Sequence, residues 1–312
     1  MNHQITYRQV INRLETHHLP YSVLPLQQGA KIVITLIGAR VLGPFLSDDS
    51  PSLGWLNSAF ANEQAFADLV ASGGTGLGGA RWWIAPEVQY NVQDRFHFDE
   101  TYAIQPAMDP GHYNLQENDP AERRLTQTAV LHAYNTASGA KTLEMALTLR
   151  PAQDPLHQTT RHAELLDGVT FAGYEESMVL SQPQPDGSMS AAWNLIQLNP
   201  GGMILIPASP QVEWHDYYEP VGSGQEIHTN HVRVHITGQR RYKMGYRAAH
   251  TFGRMAYFNT LDQDRAYLMV RSFTSNPAAY YIDEPGSLPG CRGDSIQVYN
   301  DSGALGGFGE ME

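Results

Sequence analysis

A long succession of strand-like segments, from residue 127 to residue 301, constrains the fold more than any other feature of the sequence. The segments share apolar alternation or a bias toward β-branched and aromatic residues, which is typical of strands. They are QTAVLHAYNT, KTLEMALTLRP, GVTFAGYEESMVLSQP, MSAAWNLIQLNPGGMILIPAS, NHVRVHITGQRRYKMGYRA, RMAYFNT, AYLMVRSFT and DSIQVYND. Turn sequences such as PDG, NPGG and TGQ separate them, and no helical segment intervenes. The pattern predicts antiparallel sheets packed as a large β-sandwich.

Two short helices are predicted before this strand-rich part. Residues Tyr7–Thr16 place apolar side chains at helical spacing ahead of Pro20, and the segment NEQAFADLV begins with Asn62, a good helix N-cap. Between them, YSVLPL, AKIVITLIG and RVLGPFL have the length and composition of strands. No internal repeat or low-complexity linker marks a boundary. We therefore predict an all-β fold with one or two short N-terminal helices, in a single domain over residues 1–312.

Charge, cysteine content and apolar segments limit the binding partners and the cellular location that we expect for this chain. The net charge is −12 with only 20 basic residues and no Lys/Arg run, which argues against nucleic acid or an anionic membrane as partner. Cys291 is the only cysteine, so no internal disulfide and no Cys-based zinc site can form. The N-terminus lacks the apolar core of a secretory signal, and the apolar run IVITLIG is too short to span a bilayer. We expect a cytoplasmic protein and leave its oligomeric state open.

The C-terminus ends at GGFGEME, with neither a helix stop nor a polar tail. The sequence therefore also fits a chain that continues beyond Glu312.

The glycine-rich segment SGGTGLGG has two interpretations. Glycines let backbone amides approach a phosphate, but the Gly-Lys-Ser/Thr ending of a phosphate-binding loop is missing, and a helix rather than a strand precedes the glycines. A turn leading into a strand is the favoured interpretation.

The segment HTNHVRVH raises the question of a metal site. On a strand, His231, Arg233 and His235 project to one face, and an arginine between two histidines is a poor neighbour for a divalent ion. Glu226 stands just ahead of the segment, so a cupin-like metal site is kept as the weaker alternative. We predict surface histidines, no metal site and no cofactor.

Three short stretches combine aromatic, glycine and charged residues near strand ends. Aromatic faces suit the C–H surfaces of sugar rings, while Arg, Lys, Asn and carboxylates serve the hydroxyl groups. A packed tryptophan beside a structural ion pair explains each stretch equally well when it is taken alone. The candidate residues are Arg81, Trp82 and Glu87 in GGARWWIAPE, Lys243 in RRYKMGYR, and Tyr299, Asn300, Asp301, Glu310 and Glu312 in QVYNDSGALGGFGEME.

In these stretches the chain resembles the galactose mutarotase-like superfamily, and most closely an aldose-1-epimerase-like branch of it. The resemblance rests on GGARWWIAPE, WNLIQLNPGG, YKMG, VYNDSG and FGEME, which occur in the family's order and cover the chain from about Leu24 onward. It implies a twisted antiparallel supersandwich whose concave face binds a small carbohydrate. In mutarotases a late glutamate takes the anomeric proton and a histidine protonates the ring oxygen.

The resemblance implies specific roles for the candidate residues. Glu312 matches the late glutamate, and Glu310, two positions away and on the same side of a strand, competes with it. Two carboxylates so placed raise one another's pKa, which suits a base that works near neutrality. The groups that hold the sugar are then Arg81, Lys243, Asn300, Glu87, Asn194, Tyr299 and Asp301, with Trp82 or Trp193 as the stacking platform.

One difference from the family concerns the general acid. Trp193 and Asn194 stand where the mutarotases carry the histidine, and a tryptophan cannot transfer a proton. Lys243, Arg81 and His215 are the remaining candidates for the acid. The leading hypothesis is an aldose epimerase acting on a sugar or sugar acid. A non-catalytic sugar-binding module and a β-eliminating polysaccharide lyase are the alternatives.

Overall fold

The computed structural model describes residues 4–134, 136, 139–155 and 160–312. Asn135, in the predicted strand QTAVLHAYNT, lies outside the described residues. The chain divides into two compact units. Unit 1 consists of Met1–Arg81, Pro106–Val130 and Thr142–Gln184, and unit 2 of Trp82–Gln105, Leu131–Lys141 and Pro185–Glu312. The prediction of a single domain over residues 1–312 stays a prediction.

The helices of the described residues are short. They are α1 (Tyr7–Thr16), α2 (Glu63–Ala71), α3 (Glu87–Tyr90), α4 (Phe98–Thr101) and α5 (His162–Leu165). None of them is long and apolar enough to cross a membrane. Both predicted N-terminal helices are confirmed, because α1 has the predicted bounds and α2 begins after Asn62, whose side chain accepts a hydrogen bond from the backbone of Ala65 at 2.9 Å.

Unit 1 contains strands that pair in two antiparallel arrays. The first array has the order β1-β2-β3-β4, and the four-stranded sheet has the order β5-β6-β7-β8; part of β4, β6 and β7 belongs to unit 2. The bounds are β1 (Tyr21–Pro25), β2 (Lys31–Thr35), β3 (Val41–Phe45), β4 (Ala80–Ala85), β5 (Asn114–Gln116), β6 (Arg123–Ala133), β7 (Gly139–Pro151) and β8 (Tyr174–Ser181). Val10 and Leu14 of α1 and Phe66 of α2 join its apolar core.

The glycine-rich segment before β4 forms a turn, as predicted. Gly78 and Gly79 have φ values of +101° and +79°, in the region that favours glycine. A Cβ atom at Gly79 would lie 2.3 Å from the carbonyl oxygen of Val41. The two glycines therefore let the chain enter β4 against its neighbouring strand.

Unit 2 is a β-sandwich built from two antiparallel sheets. Sheet A has the order β4-β9-β18-β17-β14-β11, and the five-stranded sheet B has the order β12-β13-β10-β15-β16. The bounds are β9 (Ala191–Leu198), β10 (Met203–Pro207), β11 (Trp214–Asp216), β12 (Gln225–Ile227), β13 (His231–His235), β14 (Tyr242–Tyr246), β15 (Arg254–Thr260), β16 (Ala266–Ser272), β17 (Ile296–Asn300) and β18 (Gly309–Met311). The all-β, antiparallel sandwich predicted from the strand pattern is confirmed.

The two faces of sheet A differ in chemistry because side chains alternate along each strand. One face is apolar and packs on sheet B, with Met244, Val298 and Met311 meeting Ile204 and Val232. The other face is polar. There the register of neighbouring strands places in one row the side chains of Gln197, Glu310, Tyr299 and Lys243. This polar face holds the candidate site.

A charged centre on the polar face of sheet A

Three charged side chains meet on the polar face of sheet A. Lys243 comes from the middle of β14, Glu312 follows β18, and Glu87 opens the short helix α3 directly after β4. The Lys243 Nζ atom lies 3.2 Å from Glu87 Oε2 and 3.3 Å from Glu312 Oε2. We call these three residues the charged centre. One ammonium group thus bridges two carboxylates that are far apart in the sequence.

Aromatic side chains surround the charged centre. The indole Nε1 of Trp193, on β9, donates a hydrogen bond to Glu312 Oε2 at 2.9 Å. The Lys243 ammonium lies 4.3 Å from the centre of the Trp193 ring, a cation–π distance. Tyr218 donates its hydroxyl to the Glu87 carboxylate, at 3.2 Å from Oε1 and 3.3 Å from Oε2. Each charge therefore has both a charged and an aromatic neighbour.

Burial controls the protonation of this centre. The side chains of Lys243 and Glu312 are 2% and 1% exposed. The pKa of Glu312 is raised to about 7, mainly by burial; the Lys243 ammonium group opposes the rise, and the charges of Glu310 and Glu87 add to it. Burial alone lowers the pKa of Lys243, but the carboxylates of Glu312 and Glu87 more than offset this, so its pKa lies well above the ordinary value. Lys243 stays charged, whereas Glu312 titrates near neutral pH.

A second layer of hydrogen bonds fixes the position of Glu87. Asp283 accepts the backbone N–H of Glu87 at 2.6 Å and the side-chain amide of Gln297 at 2.7 Å. Tyr217 donates its hydroxyl to the backbone carbonyl of Asp283 at 2.7 Å. These bonds hold the start of α3 in place, so the Glu87 carboxylate is pre-positioned toward Lys243.

His215, a predicted candidate for the general acid, lies in a neighbouring cluster. Its Nδ1 atom lies 3.2 Å from Asp294 Oδ2, and its Nε2 atom lies 3.2 Å from an Arg247 guanidinium nitrogen. Gly245 permits this arrangement, because a Cβ atom there would lie 2.4 Å from Asp294 Oδ2. The structure therefore binds His215 to Asp294 and Arg247 and not to the charged centre.

Tyr218 contacts Glu87 of the charged centre, and its ring is itself held by neighbouring side chains. The Arg241 guanidinium lies 4.3 Å from the centre of the Tyr218 ring, and Arg241 binds Asp99 of α4 with contacts of 3.0 and 2.6 Å. Phe98 packs edge-on against the same ring, with centroids 5.6 Å apart. Burial, followed by the charges of Glu87 and Glu312, raises the pKa of Tyr218 well above its ordinary value, so the hydroxyl stays a neutral donor.

The structure brings together part of the predicted site. Glu312, Lys243, Glu87 and Trp193 form one cluster, and Glu310 and Tyr299 lie on the same face of sheet A. Glu310 and Glu312 share a face as predicted, and Glu310 contributes to the raised pKa of Glu312.

Other predicted residues lie elsewhere and have structural partners. Asn300 accepts the backbone N–H groups of Thr237 and Gly238, at 2.8 and 3.0 Å, and so holds the turn before β14. Asp301 accepts three backbone N–H groups of the loop before β18. Asn194 accepts a hydrogen bond from Arg271 on β16.

The stretch ARWWIA forms β4, and its alternation separates the two tryptophans. Trp83, not Trp82, lies beside Trp193, with ring centroids 5.7 Å apart and planes at 72°. Trp82 is partly exposed and points to the opposite face of the strand. Arg81 is buried on β4 and is the last residue of the first segment of unit 1, Met1–Arg81. Trp193, one of the two tryptophans predicted as the platform, therefore contacts the charged centre, and Trp83 is the β4 tryptophan that packs against it.

Sequence reasoning missed Tyr218 and Asp283. Both come from irregular segments, DYYEP and IDEPG, in which no periodicity indicates where a side chain points. The paired tyrosines in DYYEP, close after His215, were the available signal for Tyr218. No comparable signal marks Asp283.

The histidine-rich segment forms an exposed cluster at the edge of sheet B. Glu226 lies 3.2 Å from His228 Nε2 and 3.2 Å from His235 Nε2, and His231 stacks on His228 with centroids 4.5 Å apart. Val232 and Val234 are buried, so the predicted common face of His231, Arg233 and His235 is confirmed. Within the part of the chain that the structure describes, no group of three or more His, Cys, Asp or Glu side chains is arranged to hold a metal ion.

Comparisons with protein-family models, with curated proteins and with solved structures find no match to this chain. The chemistry of the charged centre must therefore be judged from its own geometry. A carboxyl group with a pKa of about 7, next to a permanent ammonium charge and an indole N–H, is suited to accept and release a proton near neutrality.

Proposed function

We propose that this chain is a carbohydrate-active protein that isomerises an aldose sugar or sugar acid at its anomeric carbon, with Glu312 as the proton acceptor. The observation that carries the proposal concerns the Glu312 carboxyl group. It is buried, it lies 3.3 Å from Lys243 Nζ, and its pKa is raised to about 7. A base works best when its pKa is close to the working pH, and this carboxyl group meets that condition. Trp193 supplies an aromatic face at the same point.

The reaction needs one proton acceptor and one proton donor. Glu312 takes the proton of the anomeric hydroxyl while the bond between the anomeric carbon and the ring oxygen breaks. The ring oxygen leaves as an alkoxide and receives a proton from the Lys243 ammonium group. After the free aldehyde rotates, the steps reverse and the ring closes in the other configuration.

Lys243 fits the donor role in spite of its raised pKa. An alkoxide is a stronger base than an amine, so an ammonium group can protonate it even when the lysine pKa is well above its ordinary value. The same property argues against the lyase hypothesis with Lys243 as base, because a lysine that stays charged cannot abstract a proton. Lys243 thus takes the place of the histidine that the mutarotases use.

Access to the charged centre requires movement of Tyr218. The side chains of Glu87 and Lys243 are 5% and 2% exposed, and the Tyr218 hydroxyl binds Glu87. The Asp99–Arg241 pair that holds the Tyr218 ring lies nearer the surface. Substrate entry therefore breaks a tyrosine–carboxylate hydrogen bond and leaves Glu87 ready to accept a sugar hydroxyl.

The test is the rate of anomer exchange, measured by NMR for a panel of free hexoses and uronic acids. We expect acceleration by the wild-type protein and loss of about 10²-fold or more of it in Glu312→Gln, which removes the base but keeps the shape. Glu226→Gln, which changes an exposed carboxylate of the same type, is the matched control and keeps the full rate. Exchange at the uncatalysed rate for every sugar rules out the isomerase.

A non-catalytic sugar-binding module is the second candidate. It is favoured by the burial of the charged centre, in which each charge already has a partner of opposite sign. In that case the sugars bind without acceleration of anomer exchange, and Glu312→Gln leaves the binding unchanged.

A further inference from the structure

A cavity of about 240 Å³ lies within unit 2. Pro86 and Val88 line it, whereas Glu87, between them in the sequence, binds Lys243. Ile282 and Glu284 line it likewise, whereas Asp283 accepts the backbone N–H of Glu87. The same two segments therefore contribute residues both to the charged centre and to the cavity.

The charges that line the cavity are already neutralised. Arg95 binds Glu284 at 2.8 Å and donates its Nε to the backbone carbonyl of Gly286 at 3.1 Å. The second oxygen of Glu284 accepts the backbone N–H of Gly290 at 2.6 Å. The pair is fixed and carries no net charge, so it offers directional hydrogen-bonding groups to a neutral ligand rather than a counter-charge to an ion.

Aromatic and apolar side chains form the rest of the lining. Tyr280 and Met189 are 57% and 56% exposed although both are large and largely apolar. Tyr134 also lines the cavity, and its backbone N–H donates to the carbonyl of Gln89, another lining residue. A flat ring placed here would cover the exposed Tyr280 and Met189 and meet polar groups at its edge.

We propose that this cavity binds a neutral, polyhydroxylated ring of monosaccharide size. The volume is just below the range of about 300–1,000 Å³ that is typical of sites for drug-sized ligands, which fits a single ring. Tyr280 is the stacking face, and Arg95, Glu284 and Gln89 bind the hydroxyl groups. The site is separate from the charged centre and does not depend on proton transfer by Glu312.

Methyl glycosides test this site independently of isomerisation, because they lack the free anomeric hydroxyl that isomerisation requires. Binding of methyl α-D-glucopyranoside, methyl β-D-galactopyranoside and the methyl glycoside of D-glucuronic acid is measured by saturation-transfer NMR titration of the full chain. We expect saturable binding of at least one neutral glycoside, weakened about tenfold by Tyr280→Ala and restored to within about threefold by Tyr280→Phe.

One control variant separates the cavity from other surfaces. Phe252→Ala removes another exposed aromatic side chain, which does not line the cavity. It keeps wild-type affinity for the methyl glycoside if the proposal is right. Absence of binding of both neutral glycosides, preference for the glucuronide, or equal affinities in Tyr280→Ala and Phe252→Ala overturns it, whatever the outcome for anomer exchange.

Discussion

Two ionic clusters of unit 2 have similar distances between their charged atoms but differ in their exposure to water. In the charged centre, Lys243 lies 3.2 and 3.3 Å from two carboxylates. In the cluster at the edge of sheet B, Glu226 lies 3.2 Å from each of His228 and His235. The side chains of the first cluster are 1–5% exposed, and those of the second are 37–46% exposed. Distance alone therefore does not distinguish them.

The difference appears in the direction of the carboxyl pKa shifts. Burial raises the pKa of Glu312 to about 7 although an ammonium group is close by. Hydrogen bonds from His235 and His228 lower the pKa of Glu226, because water still solvates that carboxylate. At Glu312 the loss of solvation outweighs the attraction of the partner, whereas at the exposed Glu226 the attraction decides.

The largest expected effect comes from removing the central cation of the buried cluster. Lys243→Met leaves Glu87 and Glu312 facing each other without an ammonium group, and we expect the free energy of unfolding to fall by about 3–5 kcal/mol. Urea unfolding followed by tryptophan fluorescence measures this change.

The matched control is Arg233→Met at the edge of sheet B. Arg233 lies 3.8 Å from Glu226, and both side chains are exposed to water. We expect a change within about 0.5 kcal/mol, because exposed ion pairs contribute little. Equal losses in the two variants would mean that burial does not set the energy of these clusters.

The second effect is a pH dependence of opposite sign in the two clusters. The pKa of Glu312 is raised from 4.5 to about 7, so the folded protein binds more protons than the unfolded chain between these values. This contribution to stability is fully present below about pH 4.5 and is lost as the pH rises through about 7. At about 1.4 kcal/mol for each pH unit it amounts to at most about 3 kcal/mol, and Glu312→Gln removes it.

Glu226 is expected to act in the reverse direction. Its pKa is lowered, so its contribution is present above the ordinary value of 4.5 and is lost as the pH falls through the lowered value. Unfolding curves from about pH 3 to about 8 for wild type, Glu312→Gln and Glu226→Gln separate the two slopes. A Glu312→Gln variant with the wild-type slope between about pH 4.5 and 7 would contradict the raised pKa.

Strand periodicity explains which parts of the charged centre were predictable from the sequence. Glu310 and Glu312, and likewise Arg241, Lys243 and Gly245, are two residues apart, so each set had to share a face of its strand. The sandwich followed from the same alternation, repeated over many segments. The sequence does not predict which face of β4 each tryptophan occupies, because both are apolar and either can face inward. In the structure Trp83 faces Trp193.

The groups contributed by irregular segments could not be predicted. Glu87 pairs with Lys243, which lies 156 residues away in the sequence, and no local pattern relates the two positions. Tyr218 and Asp283 reach Glu87 from loops, where no repeat relates sequence position to direction. Asn300 and Asp301 have the same chemistry as binding residues, and only the structure reveals that they hold turns.

The smallest expected effect comes from removing a tyrosine hydroxyl that binds a glutamate. The comparison is between Tyr218, at the buried charged centre, and Tyr21, at the surface. Tyr218→Phe removes the donor to Glu87, and we expect a loss of about 1–2 kcal/mol, because a buried carboxylate loses one of its partners. Tyr21→Phe removes a hydroxyl that lies 3.0 Å from Glu15 at the surface, and we expect a change within about 0.5 kcal/mol. Both are measured by urea unfolding at pH 7. If Tyr218→Phe costs no more than Tyr21→Phe, water already reaches Glu87 in the folded protein, and Tyr218 does not close the charged centre.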